Sequence, residues 1–581
     1  MFREQGPRIQ PVIKRLVTQD DRWKRWGMIA LALAVVAGIM LRFVNLDGKV
    51  VWIDEVHSLM RVAGYGKEKV VEHLEATLAA TETRPAQLVN LSDLLQFQRP
   101  PESQGLFAGL AATVQALATD NPQHPPVYYL AARLMVALFG PAIATVRGTA
   151  ALFGVALIPA MGWLAWVLWR SPLIAMTTMA IAAVSPFQIA YAQEAREYSA
   201  LALMMVLTTG LLLRAMDGVR RGWWWYGGAI AVGLYTHLLM GYGIVAHGVM
   251  VLGLVGWRSP VTRKFALAII GAVVTFIPWI VTYLTYFKGI AWIGRDLGFL
   301  GLLRRWAVGW TLPMFDLQSL YHGVEYSRLF DVSAVEDFTN LGWGWGLIVL
   351  CGGLWGWSFW QLWRGPRRAT WVVATLGLVP FLMLAIPDLL DGGQRSTVGR
   401  FLMPVVLALQ LALAYGLAVN LRSRPNLRSK KFLVSYIGLV LVVMMGLSSS
   451  WLQLQSSTGW NKYSSYYDPA IAQILMESDN PLLITGAEKS GRLMSIAHYV
   501  NGVNQDRETP FDPQVLLVNK PAVPGLFADP RYLVQTLYLY RPYGEMVDGL
   551  QANNWTLETV HGPGQLIRLI PPKHQFPEYG T

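Results

Sequence analysis

The stretch GMIALALAVVAGIMLRFV, from Gly27 to Val44, decides the class of this chain, and the pair Asp54-Glu55 just beyond it raises the question of function. Roughly 20 apolar residues, rising 1.5 Å each, cross a ~30 Å hydrocarbon core. Basic residues precede the stretch (Lys14, Arg15, Arg22, Lys24, Arg25), so the N-terminus is expected on the cytoplasmic side and Asp54-Glu55 on the opposite face. The run is too long for the apolar core of a cleavable leader, and no small-residue cleavage site follows Arg42-Phe43. It reads as a retained signal-anchor.

Composition agrees with a polytopic membrane protein. The 581 residues are 54% hydrophobic and 14% charged, with 24 Trp, a profile unlike that of a soluble enzyme. The net charge of +12 would raise nucleic acid as a partner in a soluble protein. Here most basic residues fall in short loops between apolar runs, so the charge reads as topology and nucleic acid is not expected. The lone Cys351 sits inside an apolar run, which excludes an internal disulfide and a cysteine-based metal site.

Basic loops allow the remaining apolar runs to be threaded. After 27–44 the expected spans are 143–168, 173–190, 199–213, 224–235, 238–257, 265–284, 341–363, 369–386, 401–421 and 432–445, about eleven in all. Residues 127–139 are short for a crossing and suit a surface or re-entrant helix. Hydropathy collapses after Trp451, where strand-like runs 481–485, 514–519 and 565–570 and a helical run 470–476 suggest a small α/β domain. The expected organisation is a cytoplasmic basic N-terminus (1–26), a mainly α transmembrane domain (27–451) with large external loops at about 46–126 and 285–339, and an extracytoplasmic α/β domain (452–581). Neither an internal repeat nor paired broken helices in inverted halves is apparent, unlike many secondary transporters.

The threading brings several polar groups to one face. Asp54 and Glu55 follow the first span, and His124-Pro125-Pro126 closes the first external loop. Gln193-Glu194-Ala195-Arg196-Glu197-Tyr198 caps a turn between spans, and Gln394, Arg395 and Arg400 precede the span at Phe401. Carboxylates and arginines at one level beside lipid suit sugar transfer from a lipid-linked phosphate donor. Such a reaction needs a base for an acceptor hydroxyl and cations for the departing phosphate. Arginine suits the second task because its planar fork pairs with phosphate oxygens and stays charged. Each group also has a structural reading: an interfacial acidic pair, a salt bridge between Glu194 and Arg196, a snorkelling Arg400, a rigid turn at His124. His237 and His247 lie near or within a hairpin of spans, unusual company for histidine. His57 and Asp54 are too generic a pair to assign a divalent metal.

Four stretches, in order, resemble membrane glycosyltransferases of the GT-C type. They are Trp52-Ile53-Asp54-Glu55-Val56-His57-Ser58-Leu59, His124-Pro125-Pro126-Val127-Tyr128-Tyr129-Leu130, Ser185-Pro186-Phe187 through Tyr191-Ala192-Gln193-Glu194-Ala195-Arg196, and Gly399-Arg400-Phe401-Leu402-Met403-Pro404. The likeness is to bacterial relatives of protein O-mannosyltransferases (glycosyltransferase family 39) and of lipid A aminoarabinose transferases. It implies a bacterial inner-membrane enzyme of the cell envelope, moving a hexosyl or pentosyl group from a polyprenyl-phosphate sugar to a lipid, glycan or protein acceptor, with inversion. It maps the catalytic base onto Asp54, with Glu55 beside it. Charge and position make Arg196 and Arg400 candidates for the donor phosphate, with His57, His124, Glu194 and Tyr198 as further site residues. His57 and Glu197 depart from the usual pattern. No metal or other cofactor is expected to be required. A transporter or flippase of lipid-linked intermediates, or a surface-polysaccharide polymerase or ligase, stands as the alternative. Asp54 rather than a midplane charge favours the enzyme.

Overall fold

The break in one helix sets the geometry of everything around the Asp54 region. The structure is a computed structural model that describes residues 19–79, 86–289, 294, 296–317, 344–422, 428–505, 507–508, 510–518, 535–562 and 564–572. Within them the helices are α1 (Gln19–Leu41), α2 (Ile53–Ala63), α3 (Lys67–Ala79), α4 (Leu106–Asp120), α5 (Val127–Phe139), α6 (Ile143–Trp169), α7 (Pro172–Val184), α8 (Pro186–Ala192), α9 (Tyr198–Met216) and α10 (Gly222–Thr236). There follow α11 (Met240–Val255), α12 (Pro260–Tyr286), α13 (Gly298–Gly309), α14 (Gly344–Trp363), α15 (Arg367–Leu390), α16 (Met403–Ala418), α17 (Lys430–Gln455), α18 (Asp468–Glu477), α19 (Ser490–Asn504) and α20 (Gly544–Ala552).

Every expected span coincides with one of these helices or with the bent pair α7–α8. By length and hydropathy, however, six helices qualify as membrane-crossing, or seven with the bent pair, so the count of eleven is not reached by that measure. Helices α1, α10, α11 and α14 make the difference. The protein is a mainly α, polytopic membrane protein with a small α/β unit. Helix α5 has the short extent that its sequence implied. Of the second loop, residues 298–309 form α13, whereas 318–343 lie outside the described residues, as do Lys14, Arg15 and Arg424.

Ser185 is extended and Pro186 opens α8, because proline removes an N–H and pushes its predecessor out of the helical region. The axis bends by 59° there. The bend strands the last carbonyls of α7 in an apolar interior, where each unpaired group is costly. Arg42, fully buried at the end of α1, donates to Ala182 O (3.0 Å) and Ala183 O (2.7 Å), and Ser450 of α17 donates to Val184 O (3.3 Å). Close approach is possible because Gly38 and Gly446 face these carbonyls; a Cβ at either would sit 2.3 Å from Ala183 O or 2.6 Å from Val184 O. The bend turns α8 so that the Gln193–Glu197 turn meets the start of α2.

The α/β unit is a six-stranded mixed sheet of order β1-β3-β2-β4-β6-β5, with β1 (Ala86–Asn90), β2 (Pro481–Gly486), β3 (Gln514–Val518), β4 (Thr536–Tyr540), β5 (Thr556–His561) and β6 (Leu566–Ile570). β2 lies parallel to β3 and β4; the other pairs are antiparallel. The alternation of side chains splits its residues between two cores. Leu483, Val515, Leu517, Tyr538 and Tyr540 join the main core shared with α2 and the membrane helices, while Leu482, Ile484, Leu516 and Leu539 pack with Met546, Leu550 and Trp555. The strands expected at 481–485 and 565–570 are present, as is β3 over the described part of 514–519. β4, β5 and α19 had not been expected. Edge strand β1 comes from the first loop, pairing Ala86 with Val518 and Asn90 with Gln514.

Replacing Arg42 by Met is expected to leave the Ala182 and Ala183 carbonyls without its donors and to destabilise the fold by about 2–3 kcal/mol. Thermal unfolding in detergent checks this; an unchanged melting temperature refutes the capping role.

Candidate active site at the start of the second helix

Asp54 and Glu55 open α2 and occupy opposite environments. Glu55 is fully buried. Its Oε1 accepts from Arg147 Nε (2.7 Å) and from the Ala195 backbone N–H (2.9 Å); its Oε2 accepts from Arg147 Nη2 (2.7 Å) and from Lys462 Nζ. Arg147 spends its remaining N–H groups on Leu46 O, Lys49 O and Val50 O. Burial alone would raise the Glu55 pKa, but Arg147 and Lys462 pull it down to about 2. With both oxygens saturated and no exposed surface, Glu55 has nothing to offer a substrate. The expectation that it joins Asp54 in catalysis does not fit this setting; it anchors the helix.

Asp54 keeps 27% of its side chain exposed and has looser partners. Arg400 Nη1 lies 3.5 Å from its Oδ2, and Arg196 Nη1 reaches its backbone oxygen at 3.4 Å. Burial opposes ionisation here too, yet Arg196 and Arg400 hold the Asp54 carboxyl below the usual carboxylate range. Asp54 is thus an ionised, accessible carboxylate between two arginines.

Arg400 stands in a 3-10 turn, Gly399–Leu402, just before α16. The loop leading to it is folded by Asp388, whose Oδ2 accepts from Ser396 N (2.6 Å) and Ser396 Oγ (2.7 Å) and whose Oδ1 accepts from Arg395 (3.1 Å). The guanidinium of Arg400 also lies near the rings of Trp52 (5.9 Å) and Phe401 (5.7 Å). Arg196, in the turn after α8, is almost fully buried. Its Nη1 is 3.5 Å from Ser58 Oγ; its Nη2 donates to His124 Nε2 (3.1 Å) and to Tyr198 OH (3.4 Å). Its guanidinium lies 5.6 Å from the Tyr198 ring.

The other expected residues divide. His124 and Tyr198 stand against Arg196, within the constellation. His57, one turn after Asp54, instead abuts α19: its Nε2 has no hydrogen-bond partner and would lie 3.0 Å from a Cβ at Gly491. Burial and Arg61 press it down to about 3, so the ring is neutral. With Arg61, Asp120 and Glu488 it lines a surface cavity of about 560 Å³. Glu194 is buried, and its Oε2 accepts from Asn461 (2.8 Å). Its Oε1 lacks a hydrogen bond, and burial raises its pKa. The salt bridge considered between Glu194 and Arg196 is not formed, because Glu197 takes that place, with Oε2 3.7 Å from Arg196 Nε.

Glu197 and His237 complete the site, together with Arg147 and Lys462. In the sequence Glu197 stands out only as the end of the turn stretch Gln193–Tyr198 and as a departure from the family pattern, and His237 only by its unusual surroundings. A lone arginine in the apolar run 143–169 was a readable signal for Arg147; Lys462 carried none. Among the described residues, His124, Glu197 and His237 form the one group whose ligand atoms, within 4.8 Å of one another, have the spacing to hold a metal ion.

No protein-family model matches the chain, and no curated protein matches it. Among solved structures, ArnT from Cupriavidus metallidurans bound to undecaprenyl phosphate is similar at 14% identity and a TM-score of 0.47, over 93% of this chain and 97% of that one. The apo form of the same protein gives 14% and 0.48, over 95% and 98%. The oligosaccharyltransferase AglB from Archaeoglobus fulgidus, in complex with an inhibitory peptide and a dolichol-phosphate, gives 12% and 0.42, over 96% and 75%. At these values the likenesses assign no role to any residue, and the chemistry is read from the site itself.

Replacing Glu55 by Gln breaks a buried, multiply bonded ion pair and is expected to cost about 3–5 kcal/mol. The folded-state pKa of Glu55 lies below its ordinary value, so its contribution to stability is complete above about pH 4.5 and lost as pH falls towards 2. Melting temperatures recorded across that range check this. A wild-type acid limb that persists in Glu55→Gln assigns it to other carboxylates.

Proposed function

We propose that this chain transfers a hexosyl or pentosyl group from a polyprenyl-phosphate donor to the hydroxyl of a lipid, glycan or protein acceptor at the outer membrane face, with inversion. The observation that carries the reading is the accessible Asp54 carboxylate, with Arg400 3.5 Å from its Oδ2, Arg196 on its backbone oxygen, and both guanidiniums near enough to favour its ionisation. In the reaction Asp54 takes the proton of the acceptor hydroxyl as its oxygen attacks the anomeric carbon. The bond from that carbon to the phosphate oxygen breaks, and polyprenyl phosphate leaves with the electron pair. Its charge falls to Arg196 and Arg400.

A carboxylate held below its usual pKa is a weak base in the resting enzyme. The arginines that lower it are those the phosphate would engage. As the donor draws Arg400 from its 3.5 Å contact with Asp54, the carboxylate loses a counter-charge and gains basicity. The base is thereby strengthened when the donor is in place. The acceptor oxygen also becomes more acidic as its bond to carbon forms, which lets a modest base serve. Glu55 supplies no step in this scheme. No metal is assigned a step either.

Asp54→Asn, which keeps shape and removes the base, is expected to lower transfer of labelled sugar at least 10³-fold while the protein remains folded. Turnover near wild type excludes Asp54 as the base. Arg196→Ala and Arg400→Ala are each expected to weaken binding of undecaprenyl phosphate about tenfold or more, one charge-assisted contact being worth roughly 1.5–3 kcal/mol. Transfer is expected to persist after chelation; complete loss, restored by one divalent ion, reverses the metal-free scheme.

A further inference from the structure

Glu197 is a full carboxylate buried beside the proposed phosphate-binding arginine, and the scheme above gives it no task. It sits with two histidines in a group spaced like a metal site. The hydrogen bonds determine which protons point inward. Arginine only donates, so His124 Nε2, which receives Arg196 Nη2 at 3.1 Å, carries a lone pair. Its ring proton is then on Nδ1, 2.6 Å from Glu197 Oε1. His237 Nδ1 accepts the Leu239 backbone N–H at 3.0 Å, so its proton is on Nε2, facing Glu197 Oε1 at 3.5 Å. Tyr129 OH donates to Glu197 Oε2 at 3.0 Å. Both imidazoles thus direct N–H groups, not lone pairs, at the carboxylate, and a guanidinium occupies the remaining side. A cation bound there would face two protons and a like charge. The trio is a cradle for an anionic carboxylate.

We infer that Glu197 is a positioning residue for Arg196, held in place by His124, His237 and Tyr129. Arg196 has one ionic partner along its Nε edge, Glu197 at 3.7 Å, an ion pair without a hydrogen bond; its Nη groups meet a neutral acceptor in His124 at 3.1 Å and longer contacts of 3.4–3.5 Å. A buried guanidinium needs a counter-charge, and this one receives it on the edge turned away from Asp54. Nη1, which reaches Asp54 and Ser58 only at 3.4–3.5 Å, is left weakly engaged, while His124 holds Nη2. His124 acts at both ends, receiving Arg196 on one nitrogen and anchoring Glu197 with the other. An amide at position 197 removes the charge; with its oxygen kept between the two rings, its NH2 replaces Oε2 and sets donor against donor at Tyr129 OH and at the Arg196 Nε–H. Arg196 then loses its counter-charge and meets a donor in its place. Burial opposes ionisation of Glu197, but Arg196 and His124 hold its pKa well below the ordinary value.

This inference rests on the phosphate-binding role of Arg196, and the test separates the two. Undecaprenyl phosphate binding is measured on the full-length protein in nanodiscs of neutral lipid. Glu197→Gln is expected to weaken binding at least tenfold, and Glu197→Asp, which keeps the charge, only about threefold. In an Arg196→Ala background, Glu197→Gln is expected to add less than twofold. His237→Ala, which leaves Arg196 and Glu197 in place, gives a second reading should Glu197→Gln fail to fold. It is expected to weaken binding about threefold, again only when Arg196 is present. Weak binding by Arg196→Ala with unchanged or tighter binding by Glu197→Gln overturns the positioning role and leaves the phosphate reading intact. Fully multiplicative effects in the double variant overturn it as well. Unchanged binding by Arg196→Ala removes the phosphate reading and this inference with it. Elemental analysis of the wild-type protein is expected to show no stoichiometric metal that Glu197→Gln removes; finding one overturns the cradle.

Discussion

The ion pair of Glu55 with Arg147, joined by Lys462, is the constraint on which the site depends. Its members come from the start of α2, from a membrane helix and from the segment leading into the sheet, and the carboxylate also receives the backbone N–H of Ala195. A buried charge pair is poor value as stabilisation in itself, since desolvation offsets most of the Coulombic gain. Its use here is registration. Removing one member leaves a charge in a dry interior, so arrangements of these distant segments that separate the pair are disfavoured. Because Glu55 is fixed, the neighbouring residue Asp54 is fixed too, without spending its own oxygens on the scaffold.

That division between adjacent carboxylates makes the site workable. A base needs a free lone pair and a route for substrate; an anchor needs neither. The α2 helix supplies both functions by turning one residue inward and leaving the next partly exposed. The same economy recurs around the arginines. Asp388 folds the loop that carries Arg400, and Glu197 stands behind Arg196, so in each case a buried carboxylate fixes the surroundings of an arginine. Four acidic groups around one centre therefore have different tasks, set by how many donors each already holds.

Much of this was legible in the sequence. Apolar periodicity and basic loops gave the helices, since burial in lipid leaves few alternatives for a long uncharged run. The Ser185-Pro186 break and the four motifs located the segments that meet. What could not be read was partnership. Asp54 and Glu55 are equivalent in sequence, and only tertiary contacts distinguish them. Glu194 and Glu197 stand two residues before and one after Arg196, and only the folded turn shows that Glu197 reaches it while Glu194 meets Asn461. Strand β1 lies in a stretch without strong alternation and becomes a strand through pairing with β3, a contact across more than 400 residues. Lys462 sits in a short 3-10 turn whose composition gives no hint of a buried charge partner.

These contacts also bear on what the C-terminal part does. Val50 N donates to Ser457 O, Ile53 N to Ser465 Oγ, and Asn45 to Leu454 O, so the chain entering α2 is laced to the segment leaving α17. β1 adds a second link, and the sheet face bearing Leu483 and Val515 belongs to the same core as Val56 and Leu59 of α2. A tethered accessory module would contact the site through a linker and leave its geometry alone. Here the backbone N–H that begins the Asp54 helix is capped from residue 465, and the carboxylate next to Asp54 is neutralised from residue 462. The α/β unit is therefore part of the scaffold of the site, joined by hydrogen bonds and a shared core to the helix that carries Asp54.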